Sequence, residues 1–291
     1  MIKHRLYVAF VSFPVLLAAT GLSACTDDGE SSSANAPSSS ESETSSASVD
    51  GSPAADLSGS SGLPQGDDPV NLAPADFTTT IDNPYFPLIP GTRLTYREVD
   101  EGGKELKVVV IVTRETKEIA NGISARVVRD TVTEDGELIE DTFDWYSQDS
   151  EGNVWYMDEN TAEFENGRIA TREGSFEAGV DGAFPGIIMP ADPEPGLAFR
   201  QEYYEGEAED NGEILSTQEM VDVPIGHFDD VLMTKDTITI EPDVLEFKLY
   251  ARDVGMVLAL GISGGGGREE LIKVDRVSAR AGTGPLGTAH P

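Results

Sequence analysis

The stretch DTFDWYSQDSEGNVWYM, Asp141 to Met157, decides how this chain is read. Both tryptophans and two tyrosines stand in two short runs around a polar tip that contains Gly152-Asn153. Aromatic residues suit a pleated, half-buried surface, and a glycine at a polar tip lets the backbone reverse. The stretch therefore reads as a β-hairpin. The same grammar recurs outward in both directions. KELKVVVIVT, ISARVVRDTVT, FRQEYYEG, DVLMTKDTITI and LEFKLYA are strand-like. Between them lie Gly102-Gly103, Asn121-Gly122, Asp135-Gly136, Asn166-Gly167 and Asn211-Gly212, pairs that favour tight turns. No amphipathic helical period is present. The expectation is an all-β antiparallel meander of about a dozen strands.

Comparing the chain with itself sharpens this. GTRLTYRE from Gly91 is echoed by GLAFRQEYYEG from Gly196, EIANGISARVV from Glu118 by DVPIGHFDDVL from Asp222, and FDWYSQDSEGNV from Phe143 by FKLYARDVGMV from Phe247. The offsets are 104 or 105 residues. Three pairs in order at one offset predict two duplicated curved-sheet halves, about 89–173 and 194–277, packed as a sandwich or an open or half barrel. They make one β-domain over 71–277, joined by the long loop 174–196.

The flanks differ in kind. MIKHRLYVAFVSFPVLLAATGLSAC has a basic start, an apolar run too short and too interrupted to read as a spanning helix, and then the chain's one cysteine, Cys25. Leu22-Ser23-Ala24-Cys25 resembles the lipobox of bacterial lipoproteins. That resemblance implies a signal peptide over 1–24 and lipid, palmitate included, on Cys25. It also implies membrane attachment at the outer face of the cytoplasmic membrane or at the outer membrane. Two or more acyl chains hold a protein stably at a bilayer. Residues 25–70 are Ser-, Gly- and acid-rich and predict a disordered tether; 278–291 predicts a disordered tail. The formal charge of −33 excludes nucleic acid as a partner.

IDNPYFPLIPGT, DWYSQDSEGNVWYM, GVDGAFPGIIMP and VPIGHFDDVLMTK together resemble an uncharacterised family of bacterial secreted proteins and lipoproteins. The resemblance spans about Phe77 to Val274. It implies an exported all-β domain and carries no catalytic residue across. The chain departs from that pattern with MDEN after Tyr156.

Little catalytic chemistry is on offer. His4 and His290 lie in the leader and tail, and His227 sits in a turn, so nucleophile–histidine and His/Cys zinc sites lack parts. No cofactor and no metal site is expected, and the chain is read as non-enzymatic. The candidate binding residues are an aromatic platform of Trp145, Tyr146, Trp155 and Tyr156. Phe184, Ile187, Ile188 and Met189 of the joining loop are candidates for a flap over an apolar groove. The expected function is a membrane-anchored envelope protein that binds an apolar or sugar-like ligand or an envelope partner. Two alternatives stay open. One is a glycan hydrolase using carboxylates such as Asp144, Glu202 or Asp210. The other is a calcium loop through Asp149, Glu151 and Asp158, with Ser147 where an EF-hand has Asp.

Overall fold

The computed structural model describes residues 62–288 apart from 266 and 279. The signal segment, Cys25 and most of the expected tether lie outside the described residues, as does His290. Turn chemistry sets the strand boundaries where the sequence put them. Asp135-Gly136 and Asn166-Gly167 both carry two consecutive positive φ values, 51° and 85°, then 51° and 72°. Those values match the strand twist in two-residue hairpins. The strands are β1 (Phe77–Thr78), β2 (Thr92–Asp100), β3 (Glu105–Glu118), β4 (Ser124–Glu134), β5 (Glu137–Asp149), β6 (Val154–Glu165), β7 (Arg168–Thr171), β8 (Phe176–Glu177), β9 (Phe184–Met189), β10 (Ala198–Tyr204), β11 (Ala208–Val223), β12 (Gly226–Ile238), β13 (Leu245–Ala251), β14 (Gly255–Ser263) and β15 (Gly267–Arg276).

The fold is all-β and antiparallel, as expected, and the sheet closes. Its order is β5-β4-β3-β2-β15-β14-β13-β12-β11-β10-β9-β6, and β6 pairs back with β5, so a 12-stranded barrel results. β1, β7 and β8 attach outside it. Closure removes the exposed edges that a sandwich or open barrel would leave. The last stave, β9, comes from the loop 174–196. Gly186 makes this possible: a Cβ there would lie 2.3 Å from the backbone of Gln201 on β10. The echoed positions fall at matching places. Gly91 and Gly196 precede β2 and β10 with φ of 86° and 90°; Gly152 precedes β6 and Gly255 opens β14, with 100° and 101°.

One barrel end is plugged by IDNPYFPL. Phe86 lies between Tyr146 and Tyr250, with ring centroids 5.3 and 6.4 Å away. The backbone N–H groups of Asp82 and Asn83 donate to Gln148 Oε1, and Asn83 Nδ2 donates to the carbonyls of Gly152 and Pro190. The N–H of Asp253 donates to Pro84 O at 2.7 Å. The plug thus ties the β5–β6 hairpin to the β13–β14 hairpin.

Behind the plug the interior mixes apolar side chains such as Leu106, Val108 and Val132 with acids. Ten carboxyl residues, Glu98, Asp130, Glu140, Asp144, Glu159, Glu202, Asp210, Asp236, Glu246 and Glu269, are buried on the barrel strands. They enclose Lys248, whose Nζ lies 2.9 Å from Asp236 and 3.5 Å from Glu246. Both carboxyl oxygens of Glu269 are buried with no hydrogen-bond partner. Isolated charges cannot persist in such surroundings, so burial favours the protonated form of the acids that lack a cation beside them. Burial pushes Asp144 and Asp210 up to about 7 and raises Glu140, Glu202 and Glu269 well above the usual carboxylate range. A gap of about 10 Å³ beside Asp210, Asp236 and Lys248 is water-sized.

Two boundary expectations are corrected. The ordered part begins before residue 71: Arg200 Nη1 donates to the carbonyls of Gly66 and Asp68, and Leu63 and Val70 pack against the core. The segment after Val277 is not a free tail. Arg129 and Asp141, both with 0% side-chain exposure, form an ion pair on the outer wall. Arg129 also donates to the carbonyls of Gly284 and Pro285, and the N–H of Gly287 donates to Asp141. One buried pair therefore satisfies the carbonyls of a segment whose composition alone predicts no structure.

Two outcomes follow. The raised interior carboxyls bind protons in the folded state that the unfolded chain has released. Their stabilisation is complete below about pH 4 and is lost as pH rises through 7 and beyond. Asp275, lowered to about 2 by Arg93 and Lys273, acts oppositely but only in strong acid. The melting temperature should fall by about 5 °C or more between pH 5.5 and 8.5, and Glu269→Gln should flatten that slope. Arg129→Ala, which strands a buried carboxylate, should destabilise by about 3–5 kcal/mol in urea denaturation and speed amide exchange at Gly287.

Candidate functional site

Alternation decides which hairpin residues can meet a ligand. On β5, Asp144 and Tyr146 face the interior and Trp145 faces out; the opposing register is Trp145 with Asp158 and Tyr146 with Tyr156. Met157 is therefore an extra residue on β6, a β-bulge. It re-phases the strand, so that Asp158 stands on the outer wall beside Trp145 while Glu159 points inward opposite Asp144. The segment MDEN, Met157 to Asn160, opens with this bulge.

The expected four-ring platform does not form. Tyr146 and Tyr156 stack inside the barrel at 5.0 Å, and the hydroxyl of Tyr156 donates to Asp144 at 2.7 Å. Trp155 is covered by Phe77 and donates to Asp149 Oδ2. Trp145 alone of the four lines a cleft. The flap is also absent. Ile187, Ile188 and Met189 are buried in β9, and Phe184 stacks on Tyr203 at 6.0 Å beneath Arg200.

The Trp145 cleft has a volume of about 480 Å³. It opens on the outer wall between β5, β6, β8 and the side chain of Tyr204, with Lys117 from the end of β3 at its rim. Lys117 Nζ lies 4.2 Å from the centroid of the Trp145 ring, pairs with Asp158, and lies 3.2 Å from Glu177 Oε2. Glu177 is pinned by the N–H of Ala120 at 2.8 Å. Burial pushes Asp158 up to about 7 against the opposing effect of the Lys117 hydrogen bond. The indole N–H of Trp145 is buried and has no hydrogen-bond partner. Asn160, Ser175 and Phe176 complete the wall. The cleft thus presents an ammonium, a carboxyl that titrates near neutrality and two ring surfaces, and the unpaired indole N–H of Trp145 is buried in its wall.

Sequence reasoning missed Lys117, Phe176 and Glu177 and considered Asp158 only as part of a calcium loop. The adjacent acids Asp158-Glu159, breaking alternation directly after Tyr156, were the available signal for a bulge. No signal marks Lys117, which sits in the charged run TRETKE.

The other sequence candidates are used structurally. Asp149 Oδ1 accepts the N–H groups of Glu151, Gly152 and Asn153, so its carboxylate organises the turn. Among the described residues no group of three or more His, Cys, Asp or Glu side chains could hold a metal ion. Glu202 and Asp210 pair inside the barrel wall, where Asp144 also lies. His227 is exposed, with Nδ1 2.9 Å from Asp222.

No family model and no curated protein matches this chain. Among solved structures, a candidate lipoprotein from Parabacteroides distasonis is similar at 12% identity and a TM-score of 0.35. The match covers 66% of this chain and 99% of that one. Likeness at that level fixes neither fold nor function, so the reading rests on the chain's own geometry.

Lys117 is what holds Asp158 near neutrality. Lys117→Met should move the Asp158 titration upward from about 7, as followed by the pH dependence of its carboxyl carbon shift.

Proposed function

We propose that this chain is a lipid-anchored protein of the bacterial envelope whose barrel binds a small hydroxyl-rich, sugar-like ligand in the Trp145 cleft without transforming it. The anchor rests on Leu22-Ser23-Ala24-Cys25. The ligand class rests on one observation, the buried indole N–H without a partner in a cleft of about 480 Å³. A buried donor left unmade is costly, and a ligand oxygen that displaces the atoms covering it would satisfy it. Ligand sites of this volume usually pair apolar walls with a few placed polar groups. A hydroxyl-rich ligand suits the mixture of Trp145 and Phe176 with Asn160, Ser175 and Asp158 better than an apolar one. Binding is favoured over hydrolysis because Asp158 and Glu177 both hold Lys117. A glycosidase needs two carboxyl groups facing each other across the scissile bond.

Titration calorimetry with a panel of neutral and amino sugars and their short oligomers tests this. At least one should bind saturably and change Trp145 emission. Trp145→Phe keeps ring area but removes the N–H, and should weaken binding about tenfold. Absence of binding across the panel, or an unchanged affinity in the phenylalanine variant, would count against the reading.

A further inference from the structure

The outer wall formed by β15, β2 and β3 departs from the acidity of the whole chain. Its outward positions carry Arg93, Arg97, Lys107, Arg268 and Lys273 against Glu105, Glu270 and Asp275. In a chain of 20 basic and 53 acidic residues, a wall with more cations than acids is an exception that placement must explain. The pairs on it are already shared. Asp275 holds both Arg93 and Lys273, and Glu270 holds both Arg97 and Arg268. Lys107 makes no ion pair among the described residues, and it stands directly opposite Arg97 in the β2–β3 register. Like charges facing each other across two strands are unfavourable unless something lies between or beside them.

That wall is concave. A pocket of about 300 Å³ has Arg93, Lys107 and Lys273 among its lining residues and no acid. Its floor is Val109 with the hydroxyls of Thr131 and Thr133, which donate to the carbonyls of Val109 and Lys107 at 3.3 Å each. A hydroxyl that donates to a carbonyl presents its lone pairs to a ligand. Leu138 and Thr288 close the far side, and Thr288 is held there by the segment clasped on Arg129. Two lysines line this one pocket, Lys107 without an ion pair among the described residues and Lys273 paired with Asp275, and beside threonine acceptors they fit a ligand with an anionic head and a hydroxylated body.

We infer that this pocket binds a small phosphorylated polyol, with the phosphate between Lys107 and Lys273 and the hydroxyls on the threonine floor. The chain's net charge opposes any anion at long range. At physiological salt that field is screened beyond roughly 8 Å, so the local cations dominate within the pocket. The site shares β3 and β5 with the Trp145 cleft but has no lining residue in common with it.

Isothermal titration of the full chain in detergent with glycerol 3-phosphate, inorganic phosphate and glycerol separates the parts. Vesicles of phosphatidylglycerol in phosphatidylcholine test a lipid headgroup as the source. Glycerol 3-phosphate should bind at one site, more tightly than inorganic phosphate, and glycerol should not bind detectably. Lys107→Gln and Lys273→Gln should each weaken binding about fivefold or more, and Lys107→Arg should retain it. Lys235→Gln, which removes a similar surface ammonium on β12, and Trp145→Phe should leave it unchanged. Vesicle binding that is lost in the Lys107 variant would support the same phosphate site with lipid as its source. No saturable binding of any phosphate probe up to about 10 mM, or equal weakening by Lys235→Gln, would overturn the inference.

Discussion

Everything in this fold answers to the need to enclose carboxyl groups. Closing 12 antiparallel strands removes the sheet edges but leaves an interior that side chains must fill. Here valines and leucines, tyrosines and carboxylic acids fill it, with Lys248 held between Asp236 and Glu246. An ionised carboxylate in such a place costs several kcal/mol unless it is paired. The protons on Glu140, Glu202 and Glu269 are therefore as much part of the packing as methyl groups are. The same enclosure explains why Tyr146 and Tyr156, which look like a binding surface in the sequence, are interior struts.

The outer wall uses charge differently. Arg126, Arg129 and Arg200 each turn to an irregular segment and donate to its backbone carbonyls: Thr79, Gly284 and Pro285, and Gly66 and Asp68. A planar guanidinium with five donors can serve several carbonyls at once, which a lysine cannot do in the same fixed geometry. Segments with no strand period are held to the barrel in this way. The proposed ligand cleft then forms where a bulge at Met157 turns Asp158 outward, next to the one tryptophan whose N–H is left unmade.

The hairpins were legible in the sequence because Asp-Gly and Asn-Gly pairs have few uses other than tight turns. Closure was not, because β9 is written as FPGIIM inside a Gly- and Pro-rich loop, and only the approach of Gly186 to Gln201 shows why a strand fits there. The phase of alternation was equally hidden. In LEFKLYA, Glu246, Lys248 and Tyr250 are buried, whereas Leu245 and Phe247 are only partly so. Period-2 patterning shows that a strand has two faces and not which one is inside. Of the candidate site, Trp145 could be read directly. Lys117 and Glu177 reach it through the end of one strand and a two-residue strand pairing, neither of which leaves a local pattern. The tail was misread because Arg129 and Asp141, which fasten it, are remote in sequence.

β9 also makes the ring uneven. It contributes six residues, and its register with β10 consists of Glu202 with Pro185 and Tyr203 with Phe184. Pro185 has no N–H to give at that junction. Most other staves are joined to their neighbours along longer ladders, and Glu202 on β10 stands beside this short one. The ring is therefore sealed at β9 more by the close fit of Gly186 on the Gln201 backbone than by ladder hydrogen bonds, so the seam depends on the absence of a side chain.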